Sequence, residues 1–190
     1  MIDDDDQALL GRLHRRRDHK AFESLFQRHY TQLCRIGTAL VKTAQAAEDL
    51  AQETFLRLWR FPPKPDGRYT SILPWLVTVA RNIVATTARR GQPDQIPLED
   101  DLPLADPEAT NTLDNVETAA DLDDSLSTLP EDQRLILVMR YRAGMSYNDI
   151  AAVFGIAVDA VGARLRTAQK ALYAAYAARL PQPKGTPHGC

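Results

Sequence analysis

The chain is poor in cysteine. It has two in 190 residues, Cys34 inside a helical pattern and Cys190 at the very end, which leaves no disulfide framework to read. The four histidines, His14, His19, His29 and His188, do not combine with these thiols into structural-zinc spacing. Long apolar runs are missing too, as is a basic-then-apolar leader, so direct membrane insertion is not expected and a cytoplasmic location is. There is no nucleophile elbow, phosphate-cradling glycine loop or metal triad, so the sequence points away from an enzyme, a cofactor or a small-molecule substrate. Alternating strand patterns are also absent.

Between Pro93 and Asp132 the chain lacks lysine and arginine altogether while carrying thirteen acids. Residues 1–20 balance five acids against five bases, residues 21–92 carry ten bases and five acids, and residues 133–190 carry eight bases and two acids. A net charge of −2 therefore conceals two basic blocks around an acidic one. Local patches, not the sum, decide contact with a polyanion. Pro93, Pro97, Pro103 and Pro107 give residues 92–118 the composition of a flexible linker.

What remains is helical. The acidic run Asp3–Asp6 precedes Leu9, Leu10 and Leu13 and suits a helix N-terminus, or else a solvated tail, and Arg15–Arg17 suit that helix's C-terminus. Phe22, Leu25, Phe26, Tyr30, Leu33, Ile36 and Leu40 predict a helix over 21–41. Leu50, Phe55, Leu58 and Trp59 predict another over 46–59, which the prolines after Phe61 break. A further helix is expected from Ser71 to about Arg90, with Pro74 in its first turn. After the linker, helices are expected near Ala119–Leu129 and over Glu131–Ala143. Gly144 then stops the chain, Ser146 caps Tyr147–Phe154, Gly155 turns it, and a last helix runs from Val158 to about Ala178. The reading is all-α, with domains at 1–91 and 119–180, a linker at 92–118 and a disordered tail at 181–190.

The last elements have the layout of a helix-turn-helix, whose second helix enters the major groove. Ile150, Ala151, Val153 and Phe154 would pack from one side and Ile156, Val161, Leu165 and Leu172 from the other. Arg164, Arg166 and Lys170 would then face outwards, where arginine can pair with guanine or hold phosphate. The alternative is a basic face that is merely solvated.

The segment LPEDQRLILVMRYRAGMSYNDIAAVFGI resembles DNA-binding region four of bacterial sigma factors. AEDLAQETFLRLW, from Ala47 to Trp59, resembles the polymerase-binding helix of region two, and PWLVTVARNIVATTARR, from Pro74 to Arg90, resembles the region-two helix that opens the minus-ten element. The order of these blocks, with no region three between them, is similar to the extracytoplasmic-function group of the sigma-70 family.

That resemblance implies an alternative sigma factor with core RNA polymerase (the β and β′ subunits), promoter DNA and an anti-sigma factor as partners. It implies core binding by Asp49, Gln52, Glu53 and Leu56, which lie on neighbouring faces of one helix. It implies minus-ten contacts from Lys64, Arg68, Trp75, Arg81, Asn82 and Arg89, with bases captured by the loop of residues 64–71; Trp75 is equally readable as core. Minus-thirty-five contacts fall to Tyr147, Asp159, Arg164, Arg166 and Lys170. The acidic linker is either a plain tether or a strand threading the polymerase channel. The last helix departs from the family: Ala160, Gly162, Ala163, Thr167 and Gln169 stand where relatives often carry polar or basic residues. Two other readings therefore stay open, a sigma-like mimic that occupies an anti-sigma factor and a conventional helix-turn-helix regulator.

Overall fold

The computed structural model describes residues 5–65, 67, 71–91 and 119–179. Asp3 and Asp4, Arg68, the linker at 92–118 and the tail at 181–190 lie outside the described residues. Among the described residues there are eight α-helices and no strand, so the all-α reading holds. Four precede the linker: α1 (Asp6–Arg16), α2 (His19–Gly37), α3 (Ala44–Arg60) and α4 (Leu73–Gly91). Four follow it: α5 (Ala119–Ser127), α6 (Glu131–Leu137), α7 (Tyr147–Phe154) and α8 (Val158–Ala177). No helix among the described residues is long and apolar enough to cross a membrane.

Short polar side chains start the early helices by accepting from orphan N–H groups of the first turn. Asp5 does so for α1, Asp18 for α2 and Thr43 for α3. Arg17 ends α1 in the left-handed conformation, φ 53°. The helix expected over 21–41 instead stops at Gly37, and Ala39 N–H and Leu40 N–H bond back three residues to Ile36 and Gly37. Gly37 lies against Ala47 of α3, so the chain turns where two helices approach most closely.

The core of the first group is built on rings. Phe55 is 2% exposed, with Phe22, Phe26 and Tyr30 around it at centroid separations of 4.9–6.3 Å. Leu25, Leu33, Ile36, Leu58, Leu76 and Val77 complete it.

The second group is packed by aliphatic side chains and methionine: Leu135, Ile136, Met139, Ile150, Val161 and Leu165. The helix expected over 131–143 changes character at Val138, where residues 138–142 widen into a π-helical turn. Ala143 N–H bonds Val138 O across five residues, and the Arg140 guanidinium caps Met145 O.

The two groups touch. Arg134 Nε donates to Ala39 O at 2.7 Å, Gln32 Nε2 to Ala143 O at 3.0 Å, and Arg81 pairs with Asp132 at 2.7 Å.

Candidate nucleic-acid interface

Helix α3 buries Ala47, Leu50, Ala51, Thr54, Phe55 and Leu58, which leaves the opposite face outward. Asp49, Gln52 and Leu56 are exposed there and Glu53 is half-buried. Leu56, 47% exposed, is an apolar side chain among carboxylates and amides. Glu53 pairs with Arg57 one turn on, and Gln45 donates to Asp49. Gln52 also hydrogen-bonds the Tyr30 hydroxyl, whose pKa burial raises above its ordinary value.

Helix α4 buries Leu73, Leu76, Val77 and Ala80 and turns Asn82 and Arg89 outward. Trp75 is half-buried and packs against the core. Arg81 is engaged: besides Asp132, its guanidinium lies over the Phe154 ring, 5.2 Å from the centroid. Lys64 is exposed.

The helix-turn-helix forms as its residues dictate. Ser146 and Asp149 make a reciprocal capping box at the start of α7, and Gly155 takes the left-handed turn at φ 64°. Ile150, Ala151 and Val153 are buried, as are Val161, Leu165 and Leu172 of α8. Phe154 is half-buried, and two guanidinium groups lie over its ring: that of Arg164 of α8 at 5.7 Å from the centroid and that of Arg81 of α4 at 5.2 Å. Asp159, Arg164 and Lys170 are exposed, and Arg166 is half-buried. Tyr147, 41% exposed, carries the Arg140 guanidinium over its ring at 5.1 Å. A β-carbon at Gly162 would meet nothing nearer than Arg166 at 3.6 Å and Tyr147 at 4.0 Å, so packing within this chain does not demand glycine there.

The charge reading of the second block needs correction. Counted from Gln133 the block is basic, but the folded unit begins at α5. Over 119–179 there are seven bases and seven acids. Asp123 binds Arg142 and Asp124 binds Arg179, so part of the acidic stretch belongs to the helix-turn-helix unit and neutralises arginines within it.

Two arrangements escaped sequence reasoning. Arg17 does not reach outward; it donates to Trp59 O and Arg60 O and so caps the C-terminus of α3. Asp6, read from sequence as part of a helix N-terminus or a solvated run, begins α1, is 3% exposed and accepts from Arg28 Nη1, His29 Nε2 and the Ile72 backbone N–H at 2.6, 2.6 and 2.8 Å. Burial pushes its carboxyl up, but the hydrogen bonds from His29, Ile72 and Arg28 outweigh that and hold it at about 2. The only sequence signal was an apolar partner set immediately after it. Its bonding partners lie 22 to 66 residues away. Among the described residues no group of three or more His, Cys, Asp or Glu side chains is placed to hold a metal ion.

Residues 25–93 match the family described as Sigma-70 region 2, and residues 119–172 match Sigma-70, region 4. The chain is 30% identical over 184 residues to the RNA polymerase sigma-H factor of Pseudomonas aeruginosa, covering 90% of this chain and 94% of that protein. It is 33% identical over 165 residues to the ECF RNA polymerase sigma factor SigL of Mycobacterium tuberculosis, covering 78% and 85%. Its fold is similar to that of CnrH, solved in complex with the cytosolic domain of CnrY, at a TM-score of 0.66 and 22% identity, covering 93% of this chain and 100% of that one. It is also similar to the sigma factor RpoE of Bartonella quintana, solved with the anti-sigma factor NepR, at a TM-score of 0.58 and 23% identity, covering 85% and 99%.

Proposed function

We propose, from the premise that this chain belongs to the sigma-70 family among the ECF RNA polymerase sigma factors, a division of labour among three of its helices. The exposed face of α3, with Asp49, Gln52, Glu53 and Leu56, binds core RNA polymerase. Helix α4 and the residues before it, Lys64, Arg68, Trp75, Arg81, Asn82 and Arg89, hold the opened minus-ten strand. Aromatic and cationic groups on one helix suit unstacked bases on a neutralised backbone. Tyr147, Asp159, Arg164, Arg166 and Lys170 meet the minus-thirty-five duplex. The division follows the domains at 1–91 and 119–180. The linker at 92–118 joins them, either as a plain tether or threaded through the polymerase channel. The chain is not itself an enzyme, since the polymerase performs the chemistry, and it works in the cytoplasm with the polymerase. RpoE was solved with the anti-sigma factor NepR, and an anti-sigma factor is the corresponding partner here.

The observation that carries this reading is the outward face of α3, where Leu56, 47% exposed, stands among Asp49, Gln52 and Glu53. The reading has a consequence at Phe154, whose ring is shared by Arg81 of the minus-ten helix and Arg164 of the minus-thirty-five helix. DNA elements about twenty-five base pairs apart are separated by roughly 80 Å of duplex. The two arginines cannot serve both elements while they hold one ring, so the docked arrangement opens when the chain engages a promoter.

A reconstituted transcription assay with purified core polymerase and genomic DNA fragments tests the reading. RNA starts that share a two-part upstream motif are expected. The sparse recognition helix, with Ala160, Gly162 and Ala163, favours a second reading, a mimic that occupies an anti-sigma factor. Core binding without specific starts would select it. DNA binding without core binding would select a conventional regulator.

A further inference from the structure

We propose that Asp6 is a positioning residue for α4, acting from a helix that lies outside both family-matched segments. The inference rests on the reading of α4 given above. The region-two match begins at residue 25, within α2, so α1 and its side chains have no role assigned by it.

Asp6 is not the cap of its own helix. Asp5, one residue earlier, already caps α1 by accepting from Ala8 N–H at 2.7 Å. The Asp6 carboxylate instead points into the protein and gathers donors from two other places, Arg28 and His29 of α2 and the backbone N–H of Ile72. Ile72 immediately precedes α4, and its carbonyl accepts the helix bond from Leu76 N–H. Ser71 Oγ accepts from Leu73 N–H at 3.1 Å, and Asp6 accepts from the N–H between them, that of Ile72, and adds a negative charge at the positive end of α4.

The next residue adds a second hold. Gln7 Oε1 accepts from Gly67 N–H at 3.4 Å. Adjacent residues of α1 therefore grip the chain on either side of residues 68–70, and one grip fixes the first turn of the helix that carries Trp75, Arg81 and Asn82. A carboxylate is suited to this where an amide is not, because its two oxygens accept all three convergent donors. Among the described residues His29 Nδ1 is buried without a hydrogen-bond partner, and Asp6 holds the ring through its other nitrogen.

The test uses the full chain assembled with core polymerase. Promoters are first mapped through the start sites of the unaltered holoenzyme. A fluorescent single-stranded oligonucleotide carrying the mapped non-template minus-ten strand is then titrated in rising salt. If the unaltered holoenzyme does not bind this probe, the reading of α4 itself fails. If it does, Asp6→Asn is expected to weaken probe binding by roughly tenfold, the size of a lost buried charge-assisted bond. Core affinity, which depends on α3, should stay within about twofold, and the salt slope should not change because no phosphate contact is lost. Unchanged probe binding would overturn the proposal. So would a parallel loss of core affinity, which would make Asp6 a general stabiliser. If Asp6→Asn does not fold, Gln7→Ala decides: a smaller loss of probe binding at constant core affinity supports positioning, and no loss overturns it.

Discussion

The two halves of the chain handle charge in opposite ways. Residues 5–91 contain fifteen bases and eight acids, whereas residues 119–179 contain seven of each. In the first half the surplus is cationic, and the one deeply buried acid among the described residues, Asp6, is spent on internal architecture. In the second half five of the seven acids lie on α5 and at the start of α6, and three of the seven bases lie on α8. The acids take up Arg142 and Arg179 at home and Arg81 across the contact. Long-range attraction of DNA would therefore come mainly from the first half. The second half would recognise DNA only at short range, through a few side chains of α8. A domain's net charge says little about whether it offers a basic face.

The halves also differ in their cores, and this contrast gives the largest expected effect. Phe55→Ala removes the centre of a ring cluster that has no counterpart in the aliphatic core around Ile150. It should cost about 3–5 kcal/mol, read from urea unfolding followed by tryptophan fluorescence. Trp59 and Trp75 both lie in the first half and make that signal specific to it. A cost below about 1 kcal/mol would mean that the ring cluster is not the stabilising centre of that half.

The next effect concerns Asp6. Its pKa in the folded chain, about 2, lies below the ordinary 3.8. A depressed carboxyl contributes stability above its unfolded pKa and loses it as pH falls through the folded value. About 2 kcal/mol should therefore be present above pH 4 and disappear on descent towards pH 2. The difference between the unaltered chain and Asp6→Asn in urea melts across that range isolates this contribution. It cancels the parallel depression of Asp18, which accepts from Arg12. A difference independent of pH would show that the carboxylate's charge is not what the site uses.

The extent to which the sequence foretold these features follows from distance along the chain. Helix periodicity, the Ser146–Asp149 box and the Gly155 turn are local, and they appear where the residues put them. The outward face of α3 was legible for the same reason, since a helix with one apolar stripe has only one other side. Asp6 with Ile72, Arg17 with Trp59 and Arg81 with Asp132 join residues 42 to 66 apart, and no local pattern announces them. The π-helical turn at Val138–Arg142 was hidden differently: its residues fit an α-helix as well, and the choice is made by the N–H groups of Ala143 and Met145, which donate to the carbonyls of Val138 and Met139. The charge of the second half was misjudged because composition changes at Gln133 while the fold begins at α5.

The smallest effect comes from two glycines that sequence alone cannot tell apart. Both lie within helices, where glycine is less favourable than alanine by roughly 1 kcal/mol. At Gly37 a β-carbon would stand 3.1 Å from the Ala47 β-carbon and 3.3 Å from its backbone, so Gly37→Ala must push α2 away from α3. At Gly162 the nearest neighbours are ordinary contacts at 3.6 and 4.0 Å, and one belongs to the end of a flexible arginine. Gly37→Ala should therefore lower stability by about 1–3 kcal/mol, and Gly162→Ala should raise it by up to about 1 kcal/mol, both read from urea midpoints. The gain at Gly162 carries a second consequence. Since nothing in the fold requires glycine there, a variant that is more stable yet weaker on minus-thirty-five duplex would assign that glycine to close approach of DNA. A variant more stable and equally active would make α8 a recognition helix that reads DNA through side chains such as Arg164, Arg166 and Lys170, with no close approach at Gly162.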